Sequence, residues 1–392
     1  MRALVIDGGH APSALAAVRE LGAAGWQVGV GTAHGNSFAA ASRWCGRRFE
    51  ITSPVDSLDR FVAGINQAVA AGGYEVVFVS GDAEAMAISF ARDEIVPRVP
   101  YADHATMRRC VDKLGLSEAA EKAGVPTPRT AAASDGVEES FEGPIIVKCR
   151  FHWEPGRSGG TGRLEARIVP DPATARVQAE RVRLGGGEPV YQEVVNGKLM
   201  GFTVLTDQDS ETVAEVQQMA PLTWRPRVGM PARAYTVPVE PSLARAIRRM
   251  LKGLGWFGLV QLQFIVDRAG RPHLIDFNGR AYASEGLALR AGINFHDVWG
   301  RIATERDWVR PGPAQIGRRY QWTEGDLRRS LVDETRSLPV GVAGCLGYGV
   351  GAEHPIWKLS DPGPFLRYPA DLLRRFRNRR SGNRPMRKTA LR

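Results

Sequence analysis

The sequence predicts an α/β protein of more than one domain, and three observations carry that expectation. Strand, helix and strand signals alternate over about the first 100 residues, as in βαβ units. The segment GLVQLQFIVDRAGRPHLIDFNGRAYAS (258–284) alternates in polarity on both sides of a turn, as a β-hairpin does. A chain of 392 residues also exceeds what one apolar core usually supports. Apolar residues are ample, yet no run approaches the ~20 that a membrane helix needs. The N-terminal apolar run meets Asp7 too early to be a secretory signal. Cys45, Cys110, Cys149 and Cys345 lie far apart without metal-ligand spacing and read as reduced thiols, so a soluble, cytoplasmic protein is expected.

RALVID (2–7) is a short apolar strand. GGHAPS follows, then a helix in which Leu15, Val18 and Leu21 recur at helical spacing, with Pro12 suited to its first turn and Gly22 and Gly25 ending it. Strands are expected again at 27–31 and 75–80, with a helix over 58–71 between them. GGHAPS is not G-x-G-x-x-G and no acid ends the second strand, which favours a scaffold over a dinucleotide site. Gly8, Gly9 and His10 still sit at the carboxyl end of the first strand, where α/β clefts open, and His10 is a substrate-side candidate.

DHATMRRCVDKLGLSEAAEKAG (103–124) reads as helix broken at Gly115 and Gly124, with Lys113 inside it. Lys148 stands near the end of the apolar strand in PIIVKCR, where a charged head group is costly to bury without an anion. HWEPGRSGGTGR (152–163) is no Walker A loop. Its flexible backbone can fold N–H groups onto phosphate oxygens, with Arg157, Ser158, Thr161 and Arg163 at hand, although a plain surface loop fits the sequence as well. PVYQEVVNGKLMGFTVL (189–205) reads as two strands around the turn Asn196-Gly197, a hairpin signal. Arg225, Arg227 and Arg233 lie among prolines and glycines in 217–237, ahead of a helix over 241–254, in loops suited to capturing a substrate carboxylate, although arginines on a surface loop are more often simply solvated.

In the 258–284 hairpin, a turn centred on Ala269-Gly270 gives every cross-strand pair the same index sum. Gln263 then lies opposite Asp276, and Asn278 shares the face of Asp276. One carboxylate and two amides suit Mg²⁺, a hard octahedral cation completed by water and substrate phosphates. Arg280 lies beside them. The alternative is that Asp276 and Asn278 simply end a strand and open a turn.

This hairpin, with VDKLGLSEAAEKAGVPTPRT and PIIVKCR upstream, resembles the ATP-grasp superfamily, specifically its predicted ATP-dependent carboligases related to the large subunit of carbamoyl phosphate synthetase. The resemblance covers about residues 100–305 well and the N-terminal region more loosely. It implies an N-terminal Rossmann-like domain (1–102) that walls the substrate cleft without binding nucleotide, a small lobe with a phosphate loop (103–190), a large lobe with the metal hairpin (191–305), a C-terminal extension (306–373) and a basic tail (374–392). It also implies Lys113 and Lys148 on the ATP phosphates, the 152–163 loop closing over them, and Gln192, Glu193 and Val195 at the adenine edge, in a segment that links the lobes. Gln263, Asp276 and Asn278 become ligands of one or two Mg²⁺ ions, and Arg280 with Lys148 the catalytic cations. The family's hairpin usually carries Glu where this chain has Asp276, and its acceptor stretch is longer than 217–237.

The formal charge is +10, but residues 374–392 hold nine Arg or Lys and no acid, so the body is nearly neutral. That placement argues against a specific nucleic-acid partner and leaves a solvated tail or a weak contact with an anionic membrane surface. The function expected is an ATP-dependent carboxylate-amine ligase working through an acyl phosphate on small-molecule substrates, with a homodimer compatible. A catalytically silent nucleotide-binding regulator and a kinase of a small carboxylate are the alternatives.

Overall fold

The computed structural model describes residues 1–9, 12–33, 37–155, 166–225, 229–332 and 337–367. His10, Arg157, Ser158, Thr161, Arg163, Arg227 and the basic tail lie outside the described residues.

The first sheet is parallel. It holds β1 (Arg2–Asp7), β2 (Gln27–Thr32), β3 (Cys45–Glu50) and β4 (Val76–Val79) in the order β3-β2-β1-β4, with α1 (Ser13–Ala23) and α2 (Leu58–Gly72) as crossovers. Ser57 caps α2 by accepting the Arg60 N–H, and left-handed Gly73 (φ 63°) ends it. β3 has no counterpart in the sequence reading: CGRRFE lacks an apolar period because it is an edge strand with mostly exposed side chains. α3 (Asp82–Phe90) starts three residues after β4.

Two helices lead out of this domain, α4 (His104–Val111) and α5 (Lys113–Ala123). A second, antiparallel sheet follows, of β5 (Thr130–Ala132), β6 (Ile145–Cys149), β7 (Arg167–Val169) and, after α6 (Pro172–Leu184), β8 (Pro189–Glu193), in the order β5-β8-β6-β7. The third sheet contains β9 (Gly197–Thr206), β10 (Thr212–Trp224), β11 (Met230–Val237), then α7 (Pro241–Leu254), β12 (Gly258–Asp267), β13 (Pro272–Asn278), α8 (Gly286–Arg290), α9 (Phe295–Ala303) and β14 (Arg319–Gln321). Its strand order is β13-β12-β9-β10-β11-β14.

The hairpin expected around Asn196-Gly197 does not form. β8 pairs with β5 and β6 in the second sheet, whereas β9 pairs with β10 and β12 in the third. Asn196-Gly197 is therefore a crossing between two lobes, and neighbours in sequence find their hydrogen bonds in different sheets.

One apolar core runs from the first sheet into the third, while the second sheet has its own small core around Ile145, Val147 and Tyr191. Trp299 of α9 joins the larger bodies: its ring lies 4.9 Å from both Phe78 and Tyr101, and its Nε1 donates to the Pro100 carbonyl. Beyond β14, which extends the third sheet, lie α10 (Thr323–Ser330) and α11 (Leu338–Gly349).

Candidate active site

The oxygen donors of β12 and β13 owe their common face to a bulge. Gln261 pairs with Asn278 and Gln263 with Asp276, then the register shifts by one so that Phe264 faces Leu274 and Val266 faces Pro272. The turn is centred on Ala269 alone: the Asp267 N–H donates to the Arg271 carbonyl, and Gly270 has φ 80°. Constant register from that centre would set Gln263 against Ile275 and turn Asp276 to the far face. The extra residue on β13 restores it. The expected pair thus forms, but by a bulge and not by the uniform two-residue turn. One carboxylate and the amide oxygens of Gln263 and Asn278 are hard donors on adjacent positions, a set that fits Mg²⁺.

Two lysines reach the same strand from different elements. Lys113 opens α5, and its Nζ lies 2.5 Å from Asp276 Oδ1. The helix break expected at Gly115 falls earlier, at Asp112, whose extended backbone (ψ 117°) ends α4 and whose side chain caps α5 by accepting the Leu114 N–H. Arg150 clasps that carboxylate at 2.7 and 2.6 Å, which ties the start of α5 to the end of β6. Lys148 of β6 donates to Gln192 Oε1 at 2.9 Å and to the Ile275 carbonyl at 3.1 Å, so the bulge residue also anchors the second cation.

The electrostatics follow from this crowding. Burial, then the Lys113 charge, push the Lys148 ammonium down to about 7. Burial by itself would raise the Asp276 carboxyl, but Lys113, His152 and Lys148 outweigh it and hold Asp276 well below the usual carboxylate range. The site keeps an ionised metal-type carboxylate beside cations that lack enough counter-charge.

Arg280 is fixed by three acceptors. Its Nε donates to Asp82 Oδ1 at 2.6 Å, one terminal nitrogen to the Ala281 carbonyl at 2.9 Å and the other to Asn278 Oδ1 at 3.0 Å. The second oxygen of Asp82 meets His152 Nδ1 at 2.8 Å. Burial opposes ionisation of Asp82, yet the Arg280 guanidinium and His152 hold it well below its ordinary value, while burial and Lys113 push His152 down toward the neutral form. Asp82 opens α3 just past β4, where the sheet order turns about β1, the point at which α/β clefts form. Two residues on, Glu84 is buried against Gly8 and Gly81, where a Cβ would come within 2.6 and 1.9 Å of its carboxylate, and burial pushes it up to about 7.

Sequence reasoning missed Asp82, Glu84 and His152. The only signal was Gly81-Asp82 directly after an apolar strand, and the sheet order that gives it meaning is not written locally. Among the remaining candidates, Gln192 is buried and spends its side chain on Lys148 and Thr130, Glu193 is exposed at the end of β8, and Val195 lies in the crossing between sheets. Arg225 stands exposed after β10. Arg233 is a correction: its Nε is held by Asp326 at 2.7 Å and its guanidinium lies over the Tyr348 ring, so it fastens β11 to the C-terminal extension and is not free for a substrate carboxylate.

Neither a family model nor a curated protein matches the sequence. Solved structures do match the fold. The biotin carboxylase domain of Hydrogenobacter thermophilus 2-oxoglutarate carboxylase, in complex with MgADP, ADP and bicarbonate, gives a TM-score of 0.61 at 17% identity over 81% of this chain and 73% of that one. N5-carboxyaminoimidazole synthetase from Staphylococcus aureus gives 0.60 at 12% identity, over 85% and 86%. An L-amino acid ligase from Bacillus licheniformis gives 0.57 at 14%, over 80% and 75%.

Proposed function

We propose that this chain, which has the ATP-grasp fold, is an ADP-forming carboxylate-amine ligase that uses ATP and Mg²⁺. The observation that carries the reading is the convergence of Lys113 and Lys148, from separate elements, on the strand that bears Asp276 and Asn278, with Arg280 two residues beyond. Such a cradle needs an anion: two lysines and an arginine face two ionised carboxylates, and Lys148 sits at about 7 until a phosphate restores its charge. MgADP in the Hydrogenobacter protein and ligase chemistry in the Bacillus protein support the same reading by likeness of fold.

In the first step a substrate carboxylate oxygen would bond to the γ-phosphorus of ATP and the bond to the bridging oxygen would break, releasing ADP. Mg²⁺ held by Gln263, Asp276 and Asn278 would supply charge neutralisation on the phosphates. Lys113 and Lys148 would position the chain of phosphates, and Arg280, oriented by Asp82, would stabilise charge on the transferred group. An amine nitrogen would then bond to the acyl carbon, phosphate would leave, and the excess proton would pass to solvent or a nearby carboxylate. Water admitted to the site would divert the acyl phosphate to hydrolysis.

The test is ADP formation from ATP with pooled carboxylic acids and amino acids, followed by mass spectrometry. The reading expects ADP, phosphate and a condensed product only when both substrates are present. A phosphorylated carboxylate accumulating in the presence of amines, or no ATP turnover with any pair, would overturn it.

A further inference from the structure

The C-terminal extension presents an apolar surface that the ligase reading does not use. α11 carries no charged residue over its 12 positions, and Leu346 is 64% exposed whereas its neighbour Cys345 is buried. The surface continues past the helix: His354 Nε2 donates to the Gly349 carbonyl, its ring lies 4.8 Å from Trp357, and Trp357 lies 5.9 Å from Phe365. Leu359 is fully exposed and Leu366 is 70% exposed in the same stretch. A solvated face of a water-soluble domain would carry charges here.

Charge selects the partner. Between 337 and 367 the only acids are Glu353 and Asp361, both buried and neutralised, the first by Lys358 at 2.9 Å and the second by Arg19 at 2.8 Å. Residues 368–392 then add nine Arg or Lys against a single acid, Asp371. Exposed leucines, an amphipathic tryptophan and a strongly basic sequence that follows them match an anionic lipid bilayer, which accepts apolar side chains below a negative surface. We propose that the surface formed by α11, Trp357, Leu359, Phe365 and Leu366 docks on anionic membranes, with residues 374–392 supplying the electrostatic attraction.

The full chain is mixed with sedimentable vesicles of phosphatidylcholine, with and without phosphatidylserine, at low and physiological salt. Binding is expected to the phosphatidylserine vesicles and to be at least tenfold weaker to phosphatidylcholine alone. The double variant Leu359→Asp and Leu366→Asp, whose sites are exposed and safe for folding, should lower binding at least tenfold at physiological salt. Deleting 374–392 should remove the preference for phosphatidylserine, and both variants should keep wild-type ATP turnover and melting temperature. Absence of binding to phosphatidylserine vesicles, or binding that the two aspartates leave unchanged, would overturn the proposal. So would a wild-type dimer that the aspartates dissolve, since a second copy would then be the occupant.

Discussion

At the scale of single residues, the site is a contest between burial and neighbouring charge. Asp276 stays ionised because Lys113, His152 and Lys148 outweigh its burial, and that charge is what a metal would use. Asp276→Asn keeps the shape and removes the charge, so ATP turnover should be abolished while the chain still folds, with a lowered melting temperature because Lys113 and Lys148 lose their counter-charge. Near wild-type turnover would remove Asp276 from the metal set. Lys148→Ala should cost at least tenfold in kcat/KM for ATP, roughly 1.4 kcal/mol or more of transition-state stabilisation. Unchanged kinetics would reduce Lys148 to a strand-end residue. Lys148 and the hairpin donors were legible in the sequence because each sits in a local pattern of strand or turn, whereas Lys113, on a helix, stood out only through the family resemblance of its motif. Asp82 and His152 were not, since their meaning comes only from Arg280, which meets Asp82 from 198 residues away in sequence.

At the scale of elements, two irregularities place the chemistry. The bulge on β13 turns Asp276 onto the face of Gln263 and offers the Ile275 carbonyl to Lys148. The break at Asp112 sets Lys113 at the first turn of α5, and Arg150 holds that break against β6. Asp112→Ala removes both the cap and the clasp. Loss of the cap should cost about 1 kcal/mol of stability, and freedom at the start of α5 should raise the KM for ATP severalfold. Thermal unfolding and ATP titration measure the two effects; a stability loss with unchanged KM would show that Lys113 is positioned by other contacts. The sequence marks a weak point near Gly115 but cannot say which residue breaks the helix, because Asp112 does so with a partner from the next sheet.

At the scale of the whole molecule, a buried charge cluster joins the N-terminal domain to the large lobe. His296 Nδ1 of α9 lies 3.0 Å from Glu20 of α1 and 2.8 Å from Glu285, all three fully buried. Burial and Glu285 push Glu20 up to about 8, and although burial opposes a charged His296, Glu285 and Glu20 raise it to about 10. Both groups therefore keep protons in the folded chain that they give up when unfolded, Glu20 from about 4.5 to 8 and His296 from about 6.5 to 10. The contribution of His296 is complete below about pH 6.5 and fades as pH rises through 10, while the cost at Glu20 grows from about 4.5 to 8. Each proton gives a slope on the order of 1 kcal/mol per pH unit. Glu20→Gln should flatten the loss of stability between pH 5 and 8 relative to wild type. Denaturation profiles that remain parallel would show that Glu20 does not bind the extra proton.

The sequence by itself carried the alternating strands and helices of the first domain, the 258–284 hairpin, and Lys148 near the end of an apolar strand, because period-two and period-3.6 patterns, turn residues and a charged group in an apolar strand are local signals, whereas Lys113 and the division into lobes stood out only through resemblance to a known family. The fold then decided what local signals cannot carry. Asn196-Gly197 has the chemistry of a hairpin turn, yet the chain crosses there to another sheet because β9 finds better partners in β10 and β12 than in β8. Arg233 reads as a free loop cation, yet β14 and α10 bring Asp326 to it from 93 residues away. Which acid holds Arg280, which carboxylates share His296, and which face Asp276 takes all depend on contacts between segments remote in sequence, where hydrogen bonding and desolvation act on the assembled chain.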